Sequence, residues 1–116
     1  MGRALLVVPI ILIAAGAGRA TVLRSGLYGV VTRGPISPVC VAGKPCDGPA
    51  VGVKLTFVRS GVVVASVRTG EHGRYRIRLA PGRYSVRGPH TIEPGAVKVP
   101  STRFRHVDFS YDTGIR

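Results

Sequence analysis

Acidic side chains are scarce in this sequence. Aspartate and glutamate number five against 17 lysines and arginines in 116 residues, a formal charge of +12. A field of that sign favours anionic partners. Tryptophan is absent, which weakens a carbohydrate-stacking role. Cysteine occurs twice, as Cys40 and Cys46, and histidine three times, as His72, His90 and His106. A zinc site ordinarily takes four closely spaced ligands, so these scattered residues give no reason to expect a metal, and no cofactor is expected. Apolar runs of about 20 residues, as a membrane-spanning helix needs, are missing. No stretch beyond the first residues has helical apolar spacing. Phosphate-loop, dinucleotide-fingerprint and EF-hand patterns are missing as well.

The N-terminus carries an address. Met1-Gly2-Arg3 is a short basic start, residues 4–15 are almost wholly apolar, and Ala15-Gly16-Ala17 has small residues in cleavage-site order. This is the layout of a secretory signal peptide. The reading divides the chain into a signal over 1–17 and one domain over 18–116, with no transmembrane span in the mature form. The first cysteine is Cys40, too late for lipid attachment at the cleavage point. Export to an oxidising compartment suits one Cys40–Cys46 disulfide. The location expected is secreted, periplasmic or bound to the cell envelope. There the anionic partners are lipid headgroups or acidic wall polymers, and nucleic acid is not expected.

Glycine (16) and proline (9) punctuate the remaining sequence at short intervals. Between them lie short runs rich in Val, Tyr, Phe, Thr and Ile, the pattern of an all-β sandwich or barrel. Seven strands are expected, over 27–32, 51–59, 62–69, 74–79, a run carrying Tyr84 and Val86, 97–99 and 103–111. Ser60-Gly61 reads as a tight hairpin turn. The third strand is apolar on both faces at its start, which predicts a central place in its sheet. The fourth alternates most cleanly, with Tyr75, Ile77 and Leu79 inward and Arg74, Arg76 and Arg78 outward. A direct hairpin between the fourth and fifth strands would set Arg76 opposite Arg87, an unfavourable like-charge pair. A crossover to the other sheet is therefore expected at Ala80-Pro81-Gly82. The architecture predicted is a seven-stranded antiparallel Greek-key β-sandwich.

Several segments together carry a resemblance. They are Gly29-Val30-Val31, then Gly52-Val53-Lys54-Leu55-Thr56-Phe57, then Gly61, Val64, Ala65 and Thr69. Gly73-Arg74-Tyr75-Arg76-Ile77, Leu79-Ala80-Pro81-Gly82-Arg83-Tyr84 and Val86 complete the series. The series resembles the carboxypeptidase regulatory-like domain, a transthyretin-like (prealbumin-like) sandwich, over about 26–99. The Pro35…Cys46 loop and the Asp112-Thr113-Gly114-Ile115-Arg116 tail are similar to small secreted bacterial members. The resemblance implies a structural or interaction module without catalytic residues. One enzymatic transthyretin-like branch hydrolyses 5-hydroxyisourate and ends in Tyr-Arg-Gly-Ser. This chain ends Thr113-Gly114-Ile115-Arg116 and lacks that motif.

Three functions follow as expectations. The first is a non-catalytic secreted module that binds an envelope protein, for example by strand addition at an exposed edge. The second is attachment to an anionic polymer or lipid through Arg74, Arg76 and Arg78, extended by Arg83, Arg87, Arg103 and Arg105. Alternate strand residues stand about 6.7 Å apart, and the guanidinium fork suits phosphate and carboxylate. The third, a small hydrolase, would need a histidine paired with a nucleophile or an orienting carboxylate. His106 and Asp108, two residues apart on one strand face near Ser101 and Ser110, are the candidates for it. A solvated polar face accounts for them more simply.

Overall fold

A computed structural model describes residues 23–115. The signal segment expected at 1–17 lies outside them. Ten strand segments follow one another: β1 (Gly26–Gly34), β2 (Gly48–Pro49), β3 (Lys54–Arg59), β4 (Val62–Arg68), β5 (Arg74–Arg78), β6 (Gly82–Arg87), β7 (Ile92–Glu93), β8 (Ala96–Val99), β9 (Phe104–His106) and β10 (Phe109–Asp112). A single 3-10 turn, Glu71–Gly73, separates β4 from β5. Among the described residues no helix is long and apolar enough to cross a membrane.

The strands form two sheets, and the all-β sandwich predicted from alternation is present. One sheet runs β4-β3-β6-β8, antiparallel throughout. The other is built on β1, which pairs antiparallel with β5 and β2 on one side. On its other side β1 pairs parallel with β9 and β10, and β10 pairs antiparallel with β7. The sheet around β1 is thus mixed, where an antiparallel one was expected. Alternation marks which face a residue takes and leaves open which strand lies beside it. The chain does cross between sheets at Pro81-Gly82: β5 joins β1, whereas β6 joins β3 and β8. Arg76 and Arg87 therefore sit in different sheets.

The core lies where the two inner faces meet. Phe57 and Leu55 from β3 and Leu27 and Val31 from β1 have no exposed surface, and Phe109 from β10 has almost none. Phe57 and Phe109 join the sheets edge to face, 6.4 Å between centroids, and Tyr75 tilts against Phe109 at 5.5 Å. Both Phe57 and Val58 are buried although they are adjacent. Phe57 faces the core, whereas Val58 stands outside the core cluster, opposite Val63 and Ser85 on the other face of the sheet. The partner strand β4 carries a bulge there: Phe57 pairs with Ala65 but Val58 pairs with Val63, and Val64 is passed over as the extra residue.

Two elements depart from the expected strands for local reasons. The last strand is interrupted at Val107-Asp108. There the Asp108 carboxylate, in place of a backbone carbonyl, accepts the Val30 N–H at 2.8 Å. The other departure is β4. Among the described residues it pairs only with β3, so it is an edge strand there and not a central one. Val62, Val63 and Val64 are 61, 60 and 48% exposed. Their apolar character marks an open hairpin end, which composition alone cannot tell from a buried strand.

Candidate functional site

Strand register turns the outer face of the β1 sheet into rows of side chains. One row is Arg76, Tyr28 and His106; the next is Arg78, Gly26 and Phe104. Gly26 has no side chain, and a Cβ there would come within 2.6 Å of the Phe104 ring. The ring thus leans over the glycine, and the Arg76 guanidinium stacks on it at 3.8 Å. A cation over an aromatic face gains about 0.5–1 kcal/mol at exposed sites. Arg78 is held by donation from Nη1 to the Leu23 carbonyl, 3.2 Å. Tyr28 and His106 stack at 5.0 Å, and His106 Nε2 meets Asp108 Oδ1 at 2.9 Å. Beside them lies an open depression of about 540 Å³, bordered by Tyr28, Val67, Arg68, Arg74, Arg76 and His106.

Arg74, Arg76 and Arg78 are therefore together on one exposed face, as their alternation predicts. Arg83 and Arg87 are not part of it. They stand on β6 in the other sheet, whose outer face points the opposite way because the two inner faces share one core. Arg83 there opposes Lys98. Arg105 is also engaged elsewhere, donating to the Lys98 carbonyl at 3.1 Å and bridging β9 to β8. None of Arg74, Arg76, Arg78, Arg83 and Arg87 pairs with a carboxylate among the described residues. Sequence reading missed Phe104 and Tyr28 as members of the face. The expected strand began at residue 27 and gave no signal of them; the structure extends β1 to Gly26, and a glycine inside a strand marks a close approach.

The histidines stand apart. His72 is in the turn after β4, His90 stacks on Tyr111 in the loop after β6, and His106 is on β9. The His106–Asp108 pair does form. Asp108 also accepts the Val30 amide, so its carboxylate closes the interrupted β1–β10 ladder. Among the described residues no group of three or more His, Cys, Asp or Glu side chains is placed to hold a metal ion.

The same interruption turns the Val107 carbonyl to Tyr75, whose hydroxyl donates to it at 2.5 Å. Burial pushes the Tyr75 phenol well above its ordinary value, and the Asp108 charge pushes the same way. Unfolded tyrosine ionises near pH 10, whereas the folded phenol keeps its proton beyond that. Its stabilising contribution is thus complete below about pH 10 and fades as pH rises above it. Tyr75→Phe is expected to cost about 1 kcal/mol at neutral pH through the lost hydrogen bond. It also removes this residue's share of the alkaline decline. Urea unfolding at pH 7 and at about pH 10.5 measures both effects.

Cys40 and Cys46 are bonded, Cα to Cα 5.4 Å. The loop they close is further tied by the Ile36 amide donating to the Cys46 carbonyl, 2.7 Å. Thr113 Oγ1 donates to the Pro35 carbonyl at 2.7 Å, so the C-terminal tail braces the loop.

The two sheets leave different flanks. On one, Arg105 bridges β9 and β8. On the other, β4 and β5 lie near each other, and among the described residues each pairs with one strand only. The β5 edge is guarded by three arginines, and charge on an edge strand hinders pairing with other chains. The β4 edge carries Val62, Val63 and Val64 and has no such guard until Arg68. Comparison with models of known protein families gives no match, and comparison with curated proteins likewise gives none.

Proposed function

We propose that this chain is a non-catalytic, exported module of the carboxypeptidase regulatory-like kind that binds another protein at the cell envelope. The observation that supports this most is the β4 edge, paired on one side only and apolar where it is most exposed. Free edge strands bind extended segments through main-chain hydrogen bonds. The Cys40–Cys46 disulfide is compatible with an oxidising, extracellular setting. A photoreactive side chain at Val63 is expected to cross-link one discrete protein in isolated envelopes. The same group at Ser85, on the exposed face of β6, is expected to give none. Equal, diffuse labelling from both positions would defeat the reading.

The Arg74–Arg76–Arg78 column favours a second reading, attachment to anionic polymer or lipid. Its support is Arg76, whose guanidinium is already ordered on Phe104, so less freedom is lost on binding. Exposed charges are screened within about 10 Å at 0.1 M salt. Under this reading, sedimentation with envelopes fades between about 50 and 500 mM salt, and Arg→Gln changes at the three positions remove it. Under the edge reading, sedimentation resists salt.

A further inference from the structure

The β4 edge also specifies the chemistry of what it binds. Resting on the protein-interaction reading above, we infer that β4 takes up an extended acidic segment of another protein as a fifth strand of its sheet. β4 offers seven residues, about 23 Å at 3.3 Å per residue, and its bulge at Val64 divides that length into the Val62–Val63 end and a regular run over Ala65–Arg68. Its hairpin turn is set, with φ of 51° at Ser60 and 78° at Gly61, the signs of a two-residue turn that matches strand twist. The edge is thus in place before any partner arrives.

Charge selects the partner. The chain's five carboxylates are Asp47, Glu71, Glu93, Asp108 and Asp112. None lies on β3, β4 or β5; Glu71 sits in the turn beyond Arg68. The flank instead presents Arg68 at the end of β4, its Nη1 donating to the Gly52 carbonyl at 2.9 Å, and Arg74 on β5, both exposed; Arg76 is turned away, over Phe104 on the far side of β1. An added strand alternates its side chains. With apolar residues at every second position it covers the exposed valines, and acidic residues between them reach these guanidinium groups. A second copy of the chain is a poor occupant. Two chains of formal charge +12 repel. Antiparallel self-pairing about Ala65 would also set Val62 against Arg68, leaving both arginines without an anion.

The probe is a labelled nine-residue peptide alternating valine and glutamate. Its controls are the valine–lysine version and a valine–glutamate version with a central proline, which breaks the ladder. Anisotropy is expected to show binding of the first only. Hydrogen exchange is expected to slow at the amides of β4 when it binds. Val63→Lys, which guards the edge as natural edge strands are guarded, is expected to weaken binding at least tenfold with an unchanged thermal midpoint. Arg68→Gln with Arg74→Gln is expected to weaken it and flatten its salt dependence. Equal binding of the lysine peptide, protection away from β4, an edge-paired homodimer in sedimentation, or no binding of the glutamate peptide would each overturn the proposal. If the glutamate peptide fails while Val63 still cross-links one envelope protein, only the acidic specificity falls. If both fail, the interaction reading falls with it.

Discussion

Phe109→Ala is expected to lower the unfolding free energy by about 3–5 kcal/mol, the usual cost of emptying a buried phenylalanine site. Phe109 is 1% exposed and touches the core from both directions, edge-on to Phe57 in the opposite sheet and tilted to Tyr75 in its own. Its removal takes away transfer energy and leaves a void between two sheets whose hydrogen bonding resists collapse into it. Domains of this size hold about 5–15 kcal/mol in all, so the variant sits near its unfolding threshold. Urea unfolding followed by circular dichroism gives the value, and an unchanged slope with denaturant shows that only stability moved. A loss under about 1 kcal/mol would mean that the sheets are not joined through this ring.

Thr69→Val is expected to cost about 2–6 kcal/mol, because it strands two polar groups at about 1–3 kcal/mol each. Thr69 is buried just after β4. Its hydroxyl donates to the Ala50 carbonyl at 2.5 Å and accepts the Val53 amide at 2.9 Å. Its own amide donates to the Val53 carbonyl, and its carbonyl accepts the Gly52 amide. One side chain thereby fastens the 50–53 turn to the end of β4. Valine keeps the shape and deletes both hydroxyl bonds. Thr69→Ser keeps the hydroxyl and is expected to recover all but about 1 kcal/mol, the value of a lost buried methyl group. If serine and valine cost the same, the methyl packing and not the hydroxyl holds the turn.

The inward residues were legible because strand geometry enforces a period of two. Tyr75, Ile77, Leu79, Tyr84, Val86, Phe109 and Tyr111 are all buried. The crossover after Leu79 was legible through electrostatics, since a hairpin there would have opposed two arginines. The disulfide was legible from two cysteines in a Pro- and Gly-rich loop. Partnership between strands was not legible. The parallel pairing of β1 with β9 and β10 joins residues 78 apart, as in Val31 with Phe109, and no local pattern records it. The place of β4 was misread because three valines look the same buried or open. The cationic face was half legible. Arg74, Arg76 and Arg78 share a strand, but Phe104 and Tyr28 reach them only through register. Arg83 and Arg87 were grouped with them because sequence does not show which sheet a strand joins.

The parallel pairing also fixes how the domain answers force. β1 begins at Gly26 and ends at Gly34, where it lies beside Asp112 of β10. The described chain therefore starts at one end of β1 and finishes near the other, about 30 Å away for nine residues. Tension between these two points runs along the strands. It loads the β1–β10 hydrogen bonds sideways and all together, and does not peel them one at a time. The disulfide loop, braced by Thr113, rides at the pulled end beside the tail. Held by its leading segment, the module would present that loop and tail at its far tip and resist being drawn out under load.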